Sequence, residues 1–182
     1  MRVSLLLLLL IAPGGSPPHS RPHPGLRATM MARRIGDAEI LGTIGTFDAN
    51  GSEAAKLGST KAHTQEVRAY AKMLLADHQR SQQTGLRLAK LLRIAPVLPS
   101  DSSITRAHKA EMDQLNLISA AEFDKAFVQY MVVDHKMMIA RIDSVLLPAA
   151  AHAQLKTFMR NLRPSLAMHE AKGQEWLDKQ KP

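Results

Sequence analysis

From Ile35 to the C-terminus the apolar residues recur at steps of three and four, the period of one helix face, and nowhere at the step of two that a half-buried strand needs. Ile40, Ile44, Phe47, Gly51, Ala54 and Leu57 form the first such face, with Asp37 placed to cap it and Asn50-Gly51 as a weak point inside it. Thr64 is placed to cap a second face through Val67, Ala71, Leu74, Leu75, His78 and Gln82 to Leu88 and Leu92, which Pro96 and Pro99 end. Asp101 to Ser103 opens a shorter helix through Met112, Leu115 and Ile118. Ser119-Ala120-Ala121-Glu122 matches a capping box. It precedes Phe123, Phe127, Val128, Met131, Val132, His135, Met138, Ile139 and Ile142, and Pro148 closes that run. The last face is Leu155, Phe158, Leu162, Leu166, His169, Gly173 and Trp176, with a kink expected at the interior Pro164. Four long helices and one short one predict an all-α, antiparallel four-helix bundle with the extra helix in the central connection.

The pattern contains a repeat. Arg68-Ala69-Tyr70 precedes Asp77-His78 as Lys125-Ala126-Phe127 precedes Asp134-His135, with identical spacing. Lys156-Thr157-Phe158 and His169 make a looser third copy. Such a repeat suits a bundle of two related helical hairpins.

Residues 1–34 read differently. Arg2 precedes the apolar run Val3 to Ala12, which spans about 15 Å as a helix, half of a bilayer core, and Pro13-Gly14-Gly15 breaks it. This predicts a signal peptide over residues 1–14, a proline-rich disordered linker over 15–34 and a single domain over 35–182, periplasmic or otherwise exported. An uncleaved anchor, or a start at Met30 or Met31, are the alternatives. No later segment is apolar enough to span a membrane, and the oligomeric state is left open.

Charge and composition exclude several functions. The chain has 182 residues, with 24 Lys and Arg against 16 Asp and Glu, a net +8. The charges are mixed in sign along the chain, with no run of five like charges and no aromatic stacking platforms, so a solvated surface is expected rather than nucleic-acid binding. An association with the envelope surface stays open. The absence of cysteine excludes disulfides, thiolate metal sites and iron–sulfur clusters.

Four polar residues fall on or beside apolar stripes of separate long helices: Glu53, His78, His135 and His169. Imidazole and carboxylate together suit one divalent ion, zinc, iron, copper or manganese, held in a bundle core. Asp77 and Asp134 are candidates to orient the ligands from behind. The competing reading is a set of core histidines satisfied by ordinary partners. His63, His108 and His152 fall near expected helix ends and read as surface residues, and Met137-Met138 beside His135 adds a copper(I) alternative.

The order and spacing of Glu53, Lys61-Ala62, Val67-Arg68-Ala69-Tyr70-Ala71, Asp77-His78, Ala121-Glu122-Phe123-Asp124, Tyr130, Asp134-His135, Leu155-Lys156-Thr157-Phe158, Pro164, Leu166 and His169 resemble the exported bacterial family called domain of unknown function 4142. The resemblance implies a ferritin-like bundle outside the cytoplasm and no established reaction. Glu-x-x-His, the di-iron ligand pattern, is absent: Leu75, Val132 and Leu166 stand three residues before the histidines, which argues against ferroxidase chemistry. Three functions remain: a binding protein holding one metal ion, an enzyme with a mononuclear metal, and a structural or stress-related envelope protein without metal.

Overall fold

A computed structural model describes residues 35–181; the expected signal peptide and the expected linker lie outside the described residues. The described residues are helical, without strands: α1 Asp37–Lys61, α2 Gln65–Leu92, α3 Ser103–Leu117, α4 Ala120–Arg141 and α5 Ala153–Lys179. A π-helical segment Ile142–Leu146 and a helical turn Leu147–Ala149 follow α4. The helix is therefore not stopped cleanly before Pro148. Pro148 has no N–H for the Ser144 carbonyl and its ring crowds that carbonyl, so the chain widens by one residue, with Leu147 N–H donating to Ile142 O.

α1 pairs with α2 and α4 with α5, while α1 also touches α4, α2 touches α5, and α3 lies on α1 and α4. The four long helices thus contact one another in the closed order α1, α2, α5, α4. α1 runs unbroken through Asn50-Gly51, and α5 runs through Pro164.

The helix starts are held across the bundle. Thr64 caps α2, its hydroxyl accepting from Val67 N at 3.3 Å. Asp124, inside the first turns of α4, accepts from His63 N, Thr64 N and Thr64 Oγ1 at 2.7–2.8 Å. Asp37 plays the matching part at the other hairpin. It does not cap α1, whose N-cap is Gly36. Its carboxylate instead accepts from Ala151 N and His152 N at 2.8 and 3.0 Å, and from His152 Nδ1, at the entry to α5. The Ser119–Glu122 box closes side chain to side chain, Ser119 Oγ donating to Glu122 Oε2 at 2.9 Å.

The core divides into two apolar clusters. One holds Ala54, Val67, Leu74, Phe123, Phe127, Met131 and Trp176. The other holds Ile40, Ile44, Phe47, Met138, Ile142, Leu155 and Leu166. Along every long helix the chain passes from one cluster to the other, and at each crossing stands one buried polar residue: Asp48 on α1, His78 on α2, His135 on α4 and His169 on α5.

Candidate functional site

The polar layer between the clusters is the functional candidate. His78, His135 and His169 are each no more than 2% exposed. Their rings are mutual neighbours, with centroids 5.1 Å apart for His135–His169, 5.3 Å for His78–His135 and 6.2 Å for His78–His169. Phe47 closes one side, edge-on to His78 and His135 at 5.2 and 5.6 Å. The three histidines expected to converge therefore do so.

Each ring has one nitrogen tied to an acceptor. His135 Nδ1 donates to Met131 O at 2.7 Å, a carbonyl that can only accept. His78 Nδ1 donates to Asp48 Oδ1 at 3.1 Å. His169 Nε2 donates to Asp77 Oδ2 at 3.0 Å. In neutral imidazoles the remaining nitrogens, His78 Nε2, His135 Nε2 and His169 Nδ1, carry lone pairs. Two of these face each other: His169 Nδ1 lies 3.2 Å from His135 Nε2. His78 Nε2 is enclosed without a partner. It lies against the backbone of Gly51, where a Cβ would come within 2.3 Å of it, so the glycine of the expected weak point makes room for the ring.

Burial and the neighbouring histidines push His135 well below the ordinary imidazole range. Burial lowers His169 as well, against the pull of Asp77. His135 and His169 are thus held neutral near pH 7. Burial raises the Asp48 carboxyl above the usual carboxylate range, offset in part by His78 and Ser81.

Glu53 does not join the layer. It stands two residues past Gly51, about 200° around the helix from the face that meets His78. Its side chain is 64% exposed and accepts from His108 Nε2 at 3.0 Å. His108 is corrected with it: it is a buried mid-helix residue of α3, its Nδ1 accepting from the Tyr130 hydroxyl at 2.8 Å. His63 and His152 are exposed, as expected. Asp48 takes the place on α1 that was expected of Glu53. Sequence reasoning missed it, although it stands four residues after Ile44 and three before Gly51, on the apolar stripe itself. Asp77 orients His169 as a candidate partner should, whereas Asp134 lines a groove beside α3 and its Oδ2 has no hydrogen-bond partner.

As they stand, no three His, Asp or Glu side chains among the described residues form a ready-made cage for an ion. The tight pair is His135 with His169. Among the described residues no helix is long and apolar enough to cross a membrane.

The architecture defines an all-helical bundle protein with a histidine-bearing polar layer in its core. Residues 22–175 match the family described as domain of unknown function (DUF4142), and the chain belongs to that family. No curated protein matches the sequence. Among solved structures the fold is similar to that of CopM in the Cu(II)-bound form, with 16% identity over 81% of this chain and all of that chain, and a TM-score of 0.64.

Proposed function

We propose that this protein binds one transition-metal ion, copper before others, through His135 Nε2 and His169 Nδ1, with His78 Nε2 as third donor. The carrying observation is the pair of nitrogens 3.2 Å apart whose opposite ring positions are both committed as donors. Two facing lone pairs repel unless a proton or a metal ion lies between them. A proton is disfavoured near pH 7 because burial lowers both imidazoles. A shared ion suits the spacing: bonds of about 2.0 Å put two adjacent nitrogens about 2.8 Å apart on a square-planar ion and about 3.3 Å apart on a tetrahedral one, and the observed 3.2 Å falls between. The backing of every histidine by a carbonyl or carboxylate is the arrangement that sets tautomer and basicity in metal-binding imidazoles.

All-nitrogen donors without thiolate, and the rise of affinity along the divalent series to copper, favour Cu(II). The Cu(II)-bound state of the structural neighbour CopM supports the same choice. Glu53 is no part of this donor set. The reading also includes a ferritin-like connectivity and work outside the cytoplasm, after removal of residues 1–14.

The test is a Cu(II) titration of untagged protein followed by electron paramagnetic resonance. One ion per chain with nitrogen hyperfine structure is expected, reduced at least tenfold in affinity in His135→Ala and His169→Ala and unchanged in Glu53→Gln. Binding that survives loss of both histidines would overturn the proposal.

A further inference from the structure

Phe47 also lines a second cavity. A groove of about 540 Å³ runs between α3 and α4, walled by Ile104, Val133, Met137, Met138 and Val145. That volume falls within the range of small-molecule sites, which pair apolar walls with a few placed polar groups. Among the polar groups that line this groove, two hold an unpartnered buried atom, and they are opposite in sign. Asp134 Oδ2 is enclosed and has no hydrogen-bond partner. Arg141 Nε is likewise enclosed without a partner, its Nη1 only reaching Asp101 Oδ2 at 3.4 Å. Buried polar atoms left unpaired are rare and call for an explanation. Here an unpaired acceptor and an unpaired donor stand seven residues apart on α4, two turns along one face and about 10.5 Å along its axis.

We propose that this groove binds a zwitterion with an apolar middle, a short peptide of about three residues with free ends. Its ammonium group would donate to Asp134 Oδ2 and its carboxylate accept from Arg141 Nε. Three extended residues span about 10 Å, the separation of the two side-chain positions. An arginine and a carboxylate make charge-assisted bonds that a neutral end group does not. The Tyr130 hydroxyl and Glu111 line the Asp134 end, so the ammonium end of the groove is the acidic one. The ligand's apolar side chains would cover Val133 and Met137, which are exposed.

Calorimetric titration with trileucine, in the presence of a chelator, tests this independently of metal binding. Trileucine should bind at least tenfold more tightly than N-acetyl-trileucine and than trileucine amide. In Asp134→Asn the advantage of the free amine should vanish, while the advantage of the free carboxylate remains. Ala140→Trp, which fills the groove from its α4 wall, should abolish binding with the helical circular dichroism intact. Equal affinity for free and blocked peptides, or n-octylamine binding as tightly as trileucine, would overturn the proposal, as would no detectable heat at millimolar peptide.

Discussion

His169 Nδ1 faces His135 Nε2 at 3.2 Å while Asp77 and the Met131 carbonyl hold the far sides of the two rings. The carbonyl decides the tautomer of His135, and the carboxylate decides that of His169. Metal-free protein at pH 7 should therefore show His135 protonated on Nδ1 and His169 on Nε2, with His78 protonated on Nδ1 through Asp48. Nitrogen-15 chemical shifts of the imidazoles read this directly. A doubly protonated His169 would mean that a proton, not an ion, occupies the gap. Asp77→Asn should loosen the His169 tautomer and weaken copper about 10–100-fold without removing the site.

The close approach of α1 to α2 rests on Gly51. Adding one methyl there puts carbon 2.3 Å from His78 Nε2, and the imidazole cannot retreat without breaking its bond to Asp48. Gly51→Ala should lower stability by about 1–3 kcal/mol despite the gain in helix propensity. It should also weaken metal binding. Gly45, on the same helix, has open space where a methyl group would stand, with no atom within 4 Å, so Gly45→Ala should stabilise by about 0.5–1 kcal/mol. Urea denaturation of the two variants gives opposite signs if the close contact matters. Equal effects would remove the steric argument.

How far the sequence led follows from helix geometry. The four long helices were legible because each carries an uninterrupted three-and-four pattern, and the three histidines because they interrupt it at one position each. Glu53 was misplaced because the stripe through Gly51 and Ala54 leaves residue 53 on the flank; a turn of 100° per residue excludes it once Gly51 is known to face α2. Asp48 was legible in principle, since a carboxylate between Ile44 and Gly51 can face only the core. His108 was hidden by its helix, whose buried positions are few and whose partners, Glu53 and Tyr130, lie on other elements. The cross-bundle role of Asp37 depends on a loop 114 residues away, which no local pattern encodes.

That role makes a further expectation. Asp37 accepts two backbone N–H groups at the start of α5, one of them from its N-cap residue His152. Asp37→Ala leaves both without their acceptor, and loss of a cap costs about 0.5–2 kcal/mol. Hydrogen exchange should speed up at Ala151 and His152 before it does in the middle of α5. Uniform loss of protection along the helix would instead mean that Asp37 acts on the whole bundle.

Asp134 and the core histidines should pull stability in opposite directions as pH changes. Burial raises the Asp134 carboxyl to about 6, with His78 and His108 only partly offsetting it. Its folded-state proton is held more tightly than in the unfolded chain, so between about pH 4 and 6 stability falls as pH rises, and the penalty is complete above pH 6. Asp134→Asn should remove a penalty on the order of 2–3 kcal/mol at pH 7. The gain should fade to nothing below about pH 4, where the wild-type carboxyl is protonated in both states. His135 and His169 are shifted the other way: burial keeps them neutral in the fold, so the unfolded chain gains protons first as pH drops below about 6.5, and stability falls with acid. Wild-type protein should therefore show a shallow pH dependence between 4 and 7, and Asp134→Asn a steep loss of stability over the same range. Denaturation midpoints of both proteins at half-unit steps of pH measure the two slopes; parallel curves would show that Asp134 is not held protonated by the fold.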